Sequence, residues 1–356
     1  MTQPSLNKTF DTSLVDLSPL HAHESFSTTE SAPSEDYKQA LDHQVTSTGA
    51  VPPPLRVSSP KFEEASTSTR KMPTRYVPTV EAYDSWAEVY DSDGNVLQAV
   101  DDDELGDGGG MLRDYVMKIS ELSRPGTSLN IVDLGCGTGR NTVALMSQDW
   151  PSHMLVNITG IDASRAMLNK AAMKLEAAKA TLDPEIRSRR TLTLLQHDFL
   201  DPVDANRPPI LLDERSFVAA SSDLSSPILP PYDGLLTTLV LEHFPLPTFF
   251  ALLASLIKPD GIALLTNMHY NMGMRSQAGF VAQDEDGQAI KVRGTSWVHG
   301  TSETVDEAAK AGFTVIGQVK ERTVTEEMVE KKVVGERGRK WIGVKVWYGM
   351  LLRKVK

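Results

Sequence analysis

The sequence predicts an α/β fold: an open, mostly parallel sheet with helices on both faces. Three observations carry that reading. From Asn130 onward, short apolar runs alternate with helical segments. The first run feeds a glycine-rich loop, D-L-G-C-G-T-G, which opens a helix. The last two runs are joined by a charged segment rich in Glu and Lys, as suits an antiparallel hairpin at one end of the sheet.

Each element has its own signal. Residues 1–75 are rich in Ser, Thr and Pro, with Pro52 to Pro54 beside Ser58, Ser59 and Pro60. Such a stretch buries too little apolar surface to offset its ordering entropy, so it reads as a disordered tail. Order is expected from Tyr76, with residues 76–356 forming one domain. Leu112, Val116, Ile119 and Leu122 recur at helical spacing, and Pro125-Gly126 ends that helix. Asn130 to Leu134 is the first strand. A helix follows from about Arg140 to Ser147, then a strand from Val156 to Ile161. Ser164 caps a helix that runs to Ala180. Leu192 to Leu195 and Tyr232 to Val240 are the third and fourth strands. Leu246 to Ile257 is a helix ended by Lys258-Pro259-Asp260-Gly261, and Gly261 to Asn267 is the fifth strand. A helix from Thr304 to Ala311 precedes the last two strands, Phe313 to Val319 and Ile342 to Leu352, which makes seven. Residues 202–231 and 270–300 interrupt this order as long insertions, a length that in a compact domain marks functional or disordered segments.

Composition narrows the partners. With 356 residues and 40% hydrophobic content, the chain can build a sizeable core. A formal net charge of -11 argues against nucleic acid and anionic membranes, which reward basic surfaces. The single cysteine, Cys136, excludes an internal disulfide and a cysteine-based zinc cluster. No apolar run reaches the ~18 residues that span a bilayer, and no secretory signal opens the chain. A soluble intracellular protein, cytoplasmic or nuclear, is expected. D-S-D-G-N at residues 91–95 invites a calcium reading, but counted from Asp91 it lacks Gly at the sixth position and Glu at the twelfth. It reads as a turn with a solvated acidic face, Asp101 to Glu104 as an exposed charge run, and no metal is expected.

Gly135, Gly137 and Gly139 let the backbone turn tightly and approach a ligand, and the following helix offers its N-terminal N–H groups. The dinucleotide fingerprint G-x-G-x-x-G is not met, because Arg140 stands where its third glycine belongs. Asp133, Asp162 and Asp198 each fall at the C-terminal end of a successive strand, the edge along which open α/β sheets bind ligands. Asp162 can accept both hydroxyls of a ribose. Asp198 can accept an adenine amino group, with Phe199 packing on the ring.

The stretches I-V-D-L-G-C-G-T-G-R, I-T-G-I-D-A-S, L-L-Q-H-D-F-L, Y-D-G-L-L-T-T-L-V-L-E-H-F and I-K-P-D-G-I-A-L-L-T-N, in this order, resemble the class I S-adenosylmethionine-dependent methyltransferases. The resemblance covers residues 76–356. It implies a Rossmann-like, seven-stranded methyltransferase fold and S-adenosylmethionine as cofactor. It also implies that Gly135, Gly137 and Gly139, with Cys136 among them, line the methionine part, and that Asp133 supports the loop. Asp162 would hold the ribose. Ala163 and Met167 would pack near the adenine, and Asp198 with Phe199 would fix its amino group and face. Thr238 and Leu239 would lie under the sulfonium. Y-D-S-W-A-E-V-Y-D-S-D-G-N is similar to a segment of fungal small-molecule methyltransferases. That likeness makes residues 76–125 an N-terminal lid and helix. Tyr83, Trp86 and Tyr90 stand at i, i+3 and i+7, and Tyr83 and Tyr90 of that helical face are expected to touch the cofactor.

Methyl transfer from a sulfonium needs alignment and, for a protonated nucleophile, a base. Glu242 and His243, past the fourth strand, and His269 with Tyr270, past the fifth, are the candidates; His299 is a further one. Cys136 is given no nucleophilic role, and Trp297 is expected in the cap over the site. The fourth strand ends in T-T-L-V-L-E-H and lacks the N-P-P-Y or D-P-P-Y signature of methyltransferases acting on base amines or glutamine side chains. A small-molecule acceptor methylated at O or N is therefore the expected substrate. A regulatory module that keeps the cofactor site without turnover, or a protein methyltransferase, is the alternative.

Overall fold

Neighbouring residues of the central strands bury on opposite faces. Ile131, Leu236, Leu264 and Trp347 enter one apolar cluster; Val132, Leu235, Leu265 and Tyr348 enter another. This period-two alternation with no polar face is what a sheet covered by helices on both sides requires. The computed structural model describes residues 9–10, 72–106, 108–122, 124, 126–201, 210–211, 229, 231–284 and 286–355. Most of the span 1–75 and most of the insertion at 202–231 therefore lie outside the described residues.

Two short strands come first, β1 (Thr9–Phe10) and β2 (Thr74–Tyr76). Helices α1 (Thr79–Trp86), α2 (Val96–Leu105) and α3 (Met111–Ser120) follow. Then come β3 (Ser128–Leu134), α4 (Arg140–Met146), β4 (Leu155–Asp162), α5 (Arg165–Thr181), α6 (Pro184–Ser188), β5 (Arg190–Gln196) and β6 (Ile210–Leu211). The second half holds β7 (Tyr232–Thr238), α7 (Leu246–Leu256), β8 (Ile257–Met268), α8 (Tyr270–Gly273), β9 (Gly279–Gln283) and β10 (Ala289–Arg293). It closes with α9 (Thr301–Lys310), β11 (Phe313–Thr323), α10 (Glu326–Glu330) and β12 (Lys345–Lys354).

The main sheet has the order β11-β12-β8-β7-β3-β4-β5-β6. Strands β8, β7, β3, β4 and β5 run parallel, and β12 is antiparallel to both β8 and β11. The α/β class, the parallel core and the C-terminal antiparallel hairpin are as the sequence predicts. The strand count is eight, not seven. The extra strand is β6, two residues inside the 202–231 insertion that pair antiparallel on the edge of β5. Such a pair carries no readable period. Strand β8 also begins four residues before Gly261, because Asp260 takes a positive φ of 64° and keeps the Lys258–Gly261 turn within the strand. Ser164 caps α5 as expected, its hydroxyl accepting from the Met167 N–H at 3.1 Å.

The 270–300 insertion folds into α8, β9 and β10, and these two strands join β1 and β2 in a second sheet of order β1-β9-β10-β2. Thr9–Phe10, within the span read as a tail, pairs antiparallel with β9, and β2 pairs parallel with β10. The apolar side of this small sheet, with Phe280, Ile290 and Val292, packs on Trp86 and Met167. Trp86 stacks on Phe280 with 5.6 Å between ring centroids. Helix α1 is thereby held between the small sheet and the start of α5.

The acidic stretch after α1 is not a solvated face. Asp93 turns inward, accepting from the Trp86 indole N–H at 2.7 Å and the Asn95 N–H at 3.0 Å. Asn95 then caps α2 through the N–H groups of Leu97 and Gln98. Along α2, Leu97, Val100, Asp101, Glu104 and Leu105 are buried, one stripe at helical spacing. Asp101, fully buried, accepts from Arg140 Nη2 at 2.6 Å, Thr266 Oγ1 at 2.6 Å and Trp347 Nε1 at 2.8 Å. The stripe was the available signal; a run of four acids hid it. Removing one partner of a buried ion pair strands the other charge and costs about 3–5 kcal/mol, whereas an exposed pair is worth about 0–1 kcal/mol. Asp101→Ala should lose the larger amount in urea denaturation followed by circular dichroism. Asp102→Ala, whose side chain is 57% exposed though it also pairs with Arg140, should lose the smaller. Equal losses would contradict this account.

Candidate functional site

At the C-terminal ends of β3, β4 and β5 the chain encloses a cleft of about 620 Å3. Its floor is the turn after β3. Gly135 takes φ 70°, and a Cβ there would lie 2.3 Å from Val240 Cγ2, so no side chain fits. Gly137, at φ 54°, faces the cleft with nothing within 4 Å of where its Cβ would stand. Asp162 ends β4 and fastens this loop: Oδ2 accepts from the Gly137 N–H and Oδ1 from the Ser164 N–H, each at 2.8 Å. Burial pushes the Asp162 carboxyl up to about 6, against the pull of those two N–H bonds. Each oxygen keeps a lone pair for a ligand hydroxyl.

Of the residues proposed from sequence for the cofactor, the cleft gathers Gly135, Gly137, Asp162, Ala163, Asp198 and Phe199. Thr238, Leu239, Tyr83 and Tyr90 also line it. The remaining four stand behind the wall, each for a packing reason. Asp133 is buried and accepts from Thr142 Oγ1 at 2.5 Å, a bond that fixes the first turn of α4 and supports the loop as expected. Burial pushes its carboxyl up to about 7. Cys136 packs against β4, its Sγ 3.1 Å from where a Cβ on Gly160 would stand. Gly139 lets α4 approach α5, since a Cβ there would lie 3.1 Å from Ala171 Cβ. Met167, fully buried, belongs to the cluster around Trp86. The early third glycine therefore serves helix packing.

Helix α1 forms one side of the cleft, but it ends at Trp86. Tyr90 lies in the turn that follows, so the expected single helical face is broken there. The three rings still meet: Tyr90 is 5.9 Å from Tyr83 and 5.0 Å from Trp86 between centroids. Trp297 lines the cleft as expected, together with Thr295 and His197, which the sequence reading passed over. His197 packs edge-on against Phe199 at 4.4 Å, and its place one residue before Asp198 was the signal available.

The proposed bases separate. His243 lines the cleft. Its Nδ1 lies 2.9 Å from the Thr295 carbonyl, which only accepts, so Nδ1 carries the proton. Nε2 is left to accept from the Tyr83 hydroxyl at 2.8 Å. Burial lowers the His243 pKa, keeping the ring neutral. Glu242 borders a smaller space next to the cleft. It is 4% exposed; Oε1 lies 3.6 Å from His243 Nε2 and Oε2 has no hydrogen-bond partner. Burial alone pushes its carboxyl up to about 8. His269 does not reach the cleft. It faces a separate open groove and pairs with Glu321 at 3.2 Å, because α8 turns the chain away at the end of β8. His299 Nε2 bonds the Phe244 carbonyl at 2.8 Å, a loop contact. Between the cleft and Glu242 stands Leu239, whose φ of 58° is strained for a branched side chain.

Residues 109–316 match a family model described as a methyltransferase domain. The chain is 39% identical over 289 residues to an uncharacterized methyltransferase of Emericella nidulans, covering 77% of this chain and 90% of that one. It is 42% identical over 71 residues to a trans-aconitate 2-methyltransferase of Escherichia coli, covering 17% of this chain and 27% of that one. Among solved structures, an S-adenosylmethionine-dependent methyltransferase of Mesorhizobium loti superposes with a TM-score of 0.38 at 15% identity, over 66% of this chain and 95% of that one.

Glu242 gives stability a pH dependence. Its folded-state value of about 8 lies above the ordinary 4.5, so the folded protein holds the proton more tightly than the unfolded chain. Stability from this group is fully present below 4.5 and is lost as pH rises toward 8, with a slope of at most about 1.4 kcal/mol per pH unit. Glu242→Gln removes the titration. Its melting temperature relative to the parent should climb across that window, and a constant difference would refute the assignment.

Proposed function

Because the chain belongs to the class I S-adenosylmethionine-dependent methyltransferases, we propose that it methylates a small molecule at oxygen or nitrogen inside the cleft under α1. The observation that carries this reading is the Tyr83–His243 hydrogen bond, which joins α1 to the far wall across 160 residues of sequence. A cleft bridged in this way suits an enclosed small acceptor better than a polypeptide segment. Its volume falls in the usual range for small-ligand sites.

The residues present fit S-adenosylmethionine. Gly137 leaves open space at the loop, and Asp162 retains acceptor capacity on both oxygens. Asp198 and Phe199 stand together at the end of the cleft beyond β5. In this proposal the side-chain-free backbone at Gly135 and Gly137 makes room for the methionine end, Asp162 holds the ribose, and Asp198 with Phe199 the adenine. Thr238 and Leu239 lie beneath the sulfur, with Thr238 oriented by Asn141, whose Nδ2 donates to its hydroxyl at 2.7 Å. When bound, S-adenosylmethionine supplies an electrophilic methyl group on a positively charged sulfur.

The rest falls to the protein. The aromatic residues of α1 and its following turn exclude water and align the acceptor, the main contribution to an in-line displacement. A proton released by a hydroxyl acceptor is taken at His243 Nε2, directly or through the Tyr83 hydroxyl that already donates to it. His269 has no part in this scheme. Among the described residues no helix is long and apolar enough to cross a membrane.

Calorimetric titration with S-adenosylhomocysteine should show saturable binding. Asp162→Ala should weaken it by roughly ten- to a hundred-fold, the worth of hydrogen bonds to a charged group. Glu242→Ala should weaken it less. No heat at saturating ligand would sink the reading.

A further inference from the structure

On the far side of Leu239 lies a second space of about 20 Å3, room for one water-sized group. Tyr83, Tyr90 and Leu239 line both spaces, so the two are neighbours across these side chains. The inner one is closed by Trp86, Met268 and Met272; besides Asn95 and Gln277 its polar wall holds two further groups, Glu242 and Ser276. Both polar groups are unsatisfied: Glu242 Oε2 and Ser276 Oγ are buried without a hydrogen-bond partner. A buried carboxyl left unpaired costs stability, and a native fold retains it where a ligand completes the set. No positive group offsets the burial of Glu242. Among the described residues, neither space has a lysine or arginine in its wall. Arg293 donates to Gln277 Oε1 at 3.2 Å and does not itself line the space.

We propose that the acceptor is an amine whose nitrogen sits among Tyr83, Tyr90, Trp86 and Glu242, and that carboxylate acceptors are excluded. The inference rests on the methyltransferase reading and narrows its acceptor to one class. Three aromatic faces beside one carboxyl attract a cationic or N–H-bearing head through ring quadrupole and charge. The same walls offer an anion no counter-charge, because no lysine or arginine among the described residues lines either space, so an anion would lose its hydration without compensation. Here the chain parts from the trans-aconitate methyltransferase it resembles over 71 residues. A tricarboxylate would find no lysine or arginine, among the described residues, in the wall of this cleft.

The proton balance follows. Entry of the R–NH3+ head beside Glu242, whose buried carboxyl is protonated near neutral pH in the empty site, releases that carboxyl proton to solvent; the carboxylate so formed takes one ammonium proton at Oε2 and leaves the nucleophilic R–NH2. Its lone pair forms the N–CH3 bond while the S–CH3 bond breaks, that electron pair staying on sulfur. The product leaves as R–NH2+–CH3, and Glu242 is left protonated, as it began. The high carboxyl pKa makes Glu242 a stronger base than an exposed glutamate.

The test is binding to the full chain saturated with S-adenosylhomocysteine. Three matched compounds are titrated by calorimetry at millimolar concentration: 2-phenylethylamine, 2-phenylethanol and 3-phenylpropanoate. The amine should bind at least about ten-fold more tightly than the carboxylate. Glu242→Gln should erase that preference, with retained S-adenosylhomocysteine binding as its folding control. Equal or tighter binding of the carboxylate overturns the proposal, and so does no binding of the amine, which would leave the inner space to an ordered water. An unchanged preference in Glu242→Gln also overturns it. Failure of S-adenosylhomocysteine itself to bind would instead remove the cofactor reading, so the two failures are distinct.

Discussion

Asp101 and Arg140 form the pair on which the site's construction depends. Arg140 is the first residue of α4, the helix that the glycine loop opens. Burial works against its charge, but Asp101 and Asp102 more than offset that and hold its pKa above the ordinary value. Asp101 also takes Thr266 from β8 and Trp347 from β12. One carboxylate thus locks the start of α4, the middle of α2 and two strands of the sheet into one arrangement. The loop between β3 and α4 inherits its position from both ends: Asp133 bonds Thr142 behind it, and Asp162 bonds Gly137 in front. The residue that spoils a dinucleotide fingerprint at position 140 is the one that anchors this loop.

Asp101 and Glu242 show the two fates of a buried carboxyl. Asp101 is satisfied on every side, as a structural charge must be to survive burial. Glu242 has no cation beside it and an unpaired oxygen facing a small aromatic space. Two residues with the same chemistry and similar exposure therefore do different things. The difference lies in what the fold places within hydrogen-bond reach.

Much of this was legible in the sequence, and the reasons for the rest are local. The parallel core could be read because short, β-branched-rich stretches such as those holding Val132 and Ile161 alternate with helical segments, and the turn at Gly135 because glycines there have a steric cause. The roles of Gly139 and Met167 were misjudged because motif position alone cannot separate a residue facing a ligand from one facing the next helix. Asp101 was hidden because a run of acids resembles a solvated face until the helix axis is known. His243 and His269 follow successive parallel strands and looked equivalent. Only the direction of α8 separates them, and that depends on packing far along the chain. Pairing of Ile210–Leu211 on β5 depends on long-range geometry with no local signature.

The cofactor half of the site was easier to read than the acceptor half, and α1 shows why. The cofactor end is built from strand termini, whose order along the sheet follows from the chain itself. The acceptor end is built by bringing α1 across the cleft. Adjacent residues of that helix reach opposite walls: Tyr83 donates to His243, while Asp84 accepts from Ser164 Oγ at 2.6 Å and the Ala166 N–H at 3.1 Å. Consecutive positions on a helix diverge by about 100°, so one turn can tie both sides without bending. The Ser164 attachment adjoins the Asp162–Ala163 wall, and the His243 attachment adjoins Glu242. A ligand at either end thus meets a residue next to an α1 anchor, and the order of α1 is linked to both ends at once. That linkage lives in contacts between segments 80 to 160 residues apart, which no local pattern in the sequence encodes.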